Sequence, residues 1–455
     1  MSLTYMKEQT KVGDRPRILF VGMQSSPHVA RWIEMIADRG WDLNLFPVNS
    51  VEPSDSLCGV TLHRPQFAVA SAEDSWERAP PPFARARAPG LKVEPFPITL
   101  SDVGGIEGLR AGRPALGGSG RTSPLMQGAG PLAALIREMK PHVIHSLEFQ
   151  HAGYLVLQAK ALVGELFPIW ITTNWGSDIF HFGRDAAHRG EIMRLLAQAD
   201  FYSCECHRDI LLARDFGYTG PVLPVLPNTG GFDLDHVAAL QSNVPPSARR
   251  CIMVKGYQHF AGRALTTLDA LVRLADRLHG YEIILYSVGH EALERAQRLI
   301  ADRVLNIRIV GWASHDEMLG FFAASRIYIG TSVSDAISTS VLEAMAMGTF
   351  PIQTNTACCE EWFDDGVGGF ITTPHDINLI SQRILAALDD DELVDEAARV
   401  NAETVRRRLD RNKLAPRVAA FYEPVLRAAQ ERGDRLLSSF SQPNASLDPG
   451  CAFSS

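Results

Sequence analysis

Cysteine is scarce and odd in number, seven in 455 residues, so a disulfide framework is not expected in a chain of this size. No apolar run approaches the ~20 residues of a membrane span. The first residues, MSLTYMKEQTKVGDRPR, lack the apolar stretch of a signal peptide, and a cytoplasmic protein is the expectation. Positive charge is in deficit: 44 Lys and Arg against 52 Asp and Glu leave a net charge of −8, which speaks against a nucleic-acid partner that needs a concentrated basic face. A G-x-G-x-x-G after the first strand pattern is missing, and this disfavours a dinucleotide oxidoreductase. Metal-ligand spacing is missing too. Cys204-Glu205-Cys206-His207 matches no zinc pattern and has no second pair nearby in sequence; it and Cys358-Cys359 read as reduced thiols.

What the chain has in abundance is alternation. Apolar, β-rich runs alternate with helical patterns in both halves, the signature of parallel sheets with helices on both faces. In the first half, strands are predicted at 17–21, 43–46, 143–145, 168–172, 201–203 and 222–226. A helix over 28–39 carries Val29, Ile33 and Ile36 on one face and stops at Gly40. The rhythm restarts at 251–254, with a helix over 263–279 and strands at 283–286, 307–310 and 327–330. Ser314 and Glu317 form a capping box between the last two. Two doubly wound α/β domains result, about 1–232 and 250–415, joined through a junction at 232–249 that contains Pro245 and Pro246. Residues 66–130 read as a loop insertion with one strand, and 438–455 as a polar, disordered tail.

The chemistry concentrates where a loop turns into a helix: Asp335-Ala-Ile-Ser-Thr-Ser-Val-Leu-Glu343, followed by Ala344, a stop at Gly348 and a strand with Pro351. A helix N-terminus there offers unpaired N–H groups to phosphate, and carboxylates on either side can accept from sugar hydroxyls. Lys255 directly follows the 251–254 strand and Arg263 opens the next helix, both at carboxyl strand ends where open α/β sheets place ligands.

This joint pattern resembles the E-x(7)-E element of glycosyltransferase family 4, retaining enzymes of the GT-B fold that use nucleotide-sugar donors. The resemblance spans about 250–375 well and the first domain in scattered motifs. It implies two Rossmann-like domains facing across a cleft, the second holding a nucleotide-diphosphate sugar and the first a hydroxyl acceptor. Lys255 and Arg263 would clamp the diphosphate, Ser338, Thr339 and Ser340 would supply amides, Glu343 would bind the ribose, and Asp335 would contact the hexose. Gly311 and Trp312 would lie under the base and Gly289 near the ribose, although Trp312 reads equally as a rim or core aromatic. His28, in the loop after the first strand, is an acceptor contact or a helix-terminal surface histidine. Asp178, in Trp175-Gly-Ser-Asp178, orients the acceptor hydroxyl, takes its proton, or caps the turn. A last helix over 416–433 would cross back to the first domain, as GT-B chains do.

The departures are specific. Asp335 stands where the family has glutamate, a reach shorter by roughly 1.5 Å. Lys255 precedes Arg263 in reverse of the commoner order, and the family's Gly-Gly pair after the first strand is missing. Asp233-Leu-Asp235 looks like a D-x-D metal motif but falls in the junction, and Asp389-Asp-Asp391 looks like helix capping. No metal and no cofactor is expected. An epimerase or hydrolase of the same fold, and an inactive nucleotide-sugar-binding protein, remain as alternatives. Arg184, Arg189 and Arg194 mark either a peripheral membrane contact or a solvated helix.

Overall fold

A computed structural model describes residues 15–67, 90–99, 101–102 and 128–441. Most of the 66–130 insertion, and the tail from 442, lie outside the described residues. Seven parallel strands form the first sheet, in the order β4-β3-β2-β1-β5-β6-β7: β1 Arg17–Gly22, β2 Asp42–Pro47, β3 Thr61–Phe67, β4 Lys92–Ile98, β5 Val143–Leu147, β6 Ile169–Thr173 and β7 Phe201–Ser203. The second sheet has six parallel strands, β12-β11-β8-β13-β14-β15, from β8 Cys251–Lys255, β11 Glu282–Tyr286, β12 Ile307–Val310, β13 Ser325–Gly330, β14 Phe350–Thr354 and β15 Phe370–Thr372. Between β8 and β11, β9 (Gln258–His259) and β10 (Gly262–Arg263) make a small antiparallel hairpin. In both sheets the order reverses beside the first strand, which opens a crevice at the carboxyl strand ends.

Burial explains the strands. Ile18 through Val21 and Ile327 through Ile329 are wholly buried, the continuous apolar reading of a parallel strand covered on both faces. Where the sequence reading fails, proline is the reason. β4 falls within 66–130, where one strand is expected, but β3 is not expected; they contain Pro65, Pro95 and Pro97 and pair over seven residues, with β4 at the sheet edge, where a missing donor is tolerated. Residues 222–226 form no strand: only Val222 bridges to Tyr202, because Pro221, Pro224 and Pro227 deny the ladder its donors.

The helix after β1, α1, runs Pro27–Glu34, shorter than 28–39. Ser26 caps it, accepting from the His28 amide, and Pro27 opens it. α2 (His207–Asp215) follows β7 and α3 (Ala264–Arg273) follows the hairpin. α4 (His315–Ala324) begins on the Ser314–Glu317 capping box, and α5 (Thr339–Ala346) follows β13.

The final helix, α6 (Arg411–Ser441), packs Leu414, Val418, Phe421, Tyr422 and Val425 into the core under β1. There the Trp32 indole N–H donates to the Tyr422 hydroxyl at 2.8 Å, and His145 Nδ1 lies 2.7 Å from it. The two passages between lobes are zipped together, since the Phe232 amide donates to Leu409 O and the Arg411 amide to Phe232 O. Asp233 is used as the cap of the helix Leu234–Leu240, and Asp390 caps the helix that starts at Asp391. Among the described residues, no helix is long and apolar enough to cross a membrane. Of the three arginines marked above, Arg184 lies over Phe180, Arg189 over Phe216, and Arg194 pairs with Glu191.

Candidate active site

The lobes meet closely. Gly176, at φ +69°, lies so near the second lobe that a Cβ there would fall 1.9 Å from the Ala336 amide nitrogen. Arg208, near the start of α2, donates to Asp335 O and Thr356 O at 2.8 Å each while paired with Asp209. His207 holds Glu361 through its amide and ring, and Ser177 Oγ donates to Ser334 O. Between these contacts lies a cavity of about 560 Å³, walled by both lobes.

Lys255 stands at its floor. Burial works against the ammonium, but Tyr328, Asp335, Tyr257 and Glu343 around it outweigh that cost and raise its pKa above that of an ordinary lysine. The group lies 4.5 Å from the centre of the Tyr257 ring and has no hydrogen bond or ion pair among the described residues. An enclosed cation with carboxylates near it but no direct ion pair is suited to receive an anion. Thr339 and Ser340, the first residues of α5, line the same cavity. No side chain caps that helix, so its first amides point unpaired toward the space. Ser338 Oγ is buried and without a partner, and the Tyr286 hydroxyl steadies Ser340 Oγ at 2.7 Å.

Asp335 lines the cavity beside them. Burial raises its pKa, while Lys255, its own Ala336 amide and Arg208 act to keep it ionised. Glu343 lies one turn inside α5, 8% exposed, 2.9 Å from His315 Nε2. It is off the cavity wall, but within electrostatic reach of Lys255 and His28. The surface-histidine reading of His28 does not hold. The ring lines the cavity edge-on to Trp175, with its Nδ1 buried and unpartnered, and burial together with Arg31 lowers its pKa to about 4.

Other expected residues are placed elsewhere. The Arg263 guanidinium folds back to donate to His259 O and Gly262 O at 2.7 and 2.8 Å; the tight β9–β10 hairpin brings those carbonyls to it, and it does not wall the cavity. Asp178 serves its turn, accepting from the Trp175 and Phe149 amides at 2.9 and 3.0 Å. Burial, with Glu148 beside it, pushes its pKa up to about 8. It aims Trp175 and Ser177 at the cavity and does not enter it. Trp312 is 87% exposed, which removes the core reading, and Gly311 next to it opens on free space. Gly289 donates to Gly256 O and backs the loop that carries Tyr257.

The cysteine motif also divides. Cys206 meets Cys358 and Glu361 of the other lobe, with ligand atoms within 4.8 Å of one another, whereas Cys204 Sγ turns to Cys206 O. The Cys358 contact, and burial after it, hold the Cys206 thiol protonated. This cluster lies outside the cavity wall.

Among the cavity residues that the sequence did not mark are Tyr257 and Glu205. Tyr257 lies two residues after Lys255, with nothing in the sequence to mark it as the ring beneath the ammonium. Glu205 was read only as the middle of a cysteine pattern. Its one usable signal was position, two residues past β7 at a carboxyl strand end.

Comparison with known proteins bears on the fold and on the second domain. Residues 260–404 match the family model described as Glycosyl transferases group 1. The O-antigen chain mannosyltransferase B of Escherichia coli is 29% identical over 85 residues, 19% of this chain and 22% of that protein. Among solved structures, sucrose-phosphate synthase from Thermosynechococcus elongatus superposes with a TM-score of 0.63 at 15% identity, covering 91% of this chain and all of that one. HepE from Anabaena, solved with UDP and glucose, gives 0.58 at 14%, covering 89% and 99%. The fold is GT-B, and the domain over residues 260–404 is of the glycosyl transferases group 1 type.

Proposed function

We propose that this protein moves a sugar from a nucleoside-diphosphate sugar to a hydroxyl acceptor, with retention at the anomeric carbon. One observation carries the reading. Lys255, enclosed and without a direct ion pair, lines the same interlobe cavity as Thr339 and Ser340 of the uncapped first turn of α5. That pairing suits a diphosphate. Asp335 flanks it as an acceptor for hexose hydroxyls, and Glu343, reached through the turn that ends in His315, is offered to the ribose. Opposite them His28 and Trp175 form an acceptor wall from the first domain.

As the bond between the anomeric carbon and the phosphate oxygen breaks, negative charge grows on the departing diphosphate. Lys255 and the α5 amides are already aimed at that charge, and such preorganised stabilisation is typically the largest catalytic term. The acceptor oxygen bonds to the anomeric carbon on the face being vacated, and its proton passes to the departing phosphate oxygen. His28, neutral near pH 7 because its pKa is about 4, can accept a hydrogen bond from the acceptor hydroxyl without opposing it by charge. In this reading the diphosphate charge is met by Lys255 and the helix terminus, and no metal is needed.

HepE has been solved with UDP-glucose, and the E. coli relative is an O-antigen mannosyltransferase. UDP- and GDP-sugars are therefore the donors to try first, and surface polysaccharide precursors the acceptors. The test is a thermal-shift panel of UDP, GDP and their sugars, followed by incubation of any binder with and without glycan acceptors. Product glycan with a retained anomer supports the proposal. Free sugar or an epimerised donor formed without acceptor would replace it with a hydrolase or epimerase.

A further inference from the structure

Glu205 is the one cavity-lining acid contributed by the first domain. It stands between β7 and α2, 7% exposed. One carboxyl oxygen is fixed, since Oε1 accepts from the Asn228 amide at 2.6 Å. The other has no hydrogen bond among the described residues. Asn228 itself is 2% exposed, and both polar atoms of its side chain lack a partner. An enclosed carboxyl with one oxygen anchored and one free, next to an unsatisfied amide, is a polar surface built for something the protein alone does not supply.

Resting on the glycosyltransferase reading, we propose that Glu205 and Asp335 grip the transferred sugar from opposite lobes, Glu205 giving an O–H to one hydroxyl while Asp335 accepts from another. The charges around the pair assign these roles. Asp335 has Lys255 and Arg208 near it. Glu205 is surrounded by acids: Asp335 across the cleft, with Asp209 and Asp178 behind it in its own domain. Two carboxyls in one cleft separate in this way, one keeping its proton and the other its charge. Burial first, then Asp335, hold Glu205 well above the usual carboxyl range, and among its neighbours only the Asn228 amide pulls it down. Lys255, His28, His259, Tyr257 and Tyr286 share the cavity. Of these, Lys255 is bracketed by Asp335 and Glu343, and His28 is uncharged at neutral pH. A donor on one wall and an acceptor on the other selects among epimeric sugars, because moving one hydroxyl leaves a buried group unpaired. The contact also exists only when the lobes are closed, so it ties closure to the presence of a sugar and not to nucleotide alone.

Calorimetry on the full chain tests this with free UDP and GDP and with their glucose, galactose, mannose and N-acetylglucosamine conjugates. The quantity read is how much the sugar tightens binding over the bare diphosphate. Glu205→Gln keeps an N–H donor and the oxygen for Asn228, and should hold that ratio within about two-fold. Glu205→Ala and Glu205→Leu should cut it by roughly three- to ten-fold and leave the bare-diphosphate Kd unchanged. Thermal unfolding of each variant establishes that it is folded. A ratio undiminished in both apolar variants overturns the grip, and Glu205→Gln losing as much as Glu205→Ala overturns the donor role. If wild type binds neither UDP nor GDP, the glycosyltransferase reading fails first, and the two failures stay distinct.

Discussion

Replacing Lys255 by alanine removes the charge on which the diphosphate reading rests. Its ammonium has no protein hydrogen bond to lose, so the apo fold gives up only contact with the Tyr257 ring and the attraction of Asp335 and Glu343. The bound state gives up a charge-assisted contact worth about 1.5–3 kcal/mol, a loss of roughly 10–150-fold in diphosphate affinity. The loss in kcat/KM should be larger still, because phosphate charge grows as the sugar departs. Arg263→Ala is the matched comparison. Its Nη1 donates to both His259 O and Gly262 O and the side chain lies off the cavity wall, so its removal should cost no more than about three-fold in the same titration. UDP or GDP titrated into both variants, with initial rates on the active donor, separates the two cations. Wild-type affinity in Lys255→Ala, or a greater loss in Arg263→Ala, would refute the assignment.

Glu343→Gln should weaken nucleotide binding roughly 3–10-fold and leave folding intact; an unchanged Kd by calorimetry removes Glu343 from the ribose. Gly176→Ala places a methyl against the Ala336 amide nitrogen and adds a side chain at positive φ, about 1–3 kcal/mol against the closed arrangement. Small-angle scattering with nucleotide should show a less closed particle, and kcat/KM should fall at least five-fold. Burial lowers the His145 pKa from 6.5 to about 3, so the unfolded chain binds the proton that the folded core refuses. That stability is complete above pH 6.5 and is lost as pH falls from 6.5 toward 3, on the order of 4–5 kcal/mol in full. The Tm gap between wild type and His145→Gln should therefore narrow steadily as pH drops from 7 to 4, and a constant gap would show that His145 does not titrate with unfolding.

The second lobe was the more legible because its signals are local. The capping box at Ser314 and Glu317 formed as read, and strands 307–310 and 283–286 fell within a residue of their expected bounds. Local signals also gave the convergence of Lys255, Asp335, Thr339 and Ser340, since each lies at a strand or helix end whose direction the α/β alternation fixes. The first lobe was less legible. β3 and the edge strand β4 are interrupted by proline, and the pairing between them joins residues about thirty positions apart. Glu205 could not be assigned from spacing, because its meaning depends on Asp335, 130 residues later and in the other domain. Arg263 lies off the cavity wall for the opposite reason. Its position at the start of α3 was read correctly, but the hairpin beside it supplies carbonyls that the guanidinium reaches first.

The shortened carboxylate at position 335 shows how the lobes can make up for a substitution that looks disabling. A side chain one carbon too short can do the same work only if its backbone stands closer to the ligand. Two features press the 335–336 backbone into the cleft. Gly176 has no Cβ, and any larger residue would strike Ala336. Arg208, held by Asp209, grips Asp335 O from the facing domain. Both belong to the first lobe, so the position of Asp335, the proposed hexose contact, is set from the facing lobe. Asp335→Glu, which supplies the glutamate of the family that the sequence resembles, should then crowd the cavity and lower kcat/KM by a few-fold while UDP affinity holds. In an Arg208→Ala background, where the loop is free to retreat, the same substitution should do less harm or even help. That reversal is a coupling between residues in different lobes, and a double-mutant cycle reads it directly. Strictly additive effects would mean that the loop's position owes nothing to Arg208, and that the aspartate reflects a different sugar.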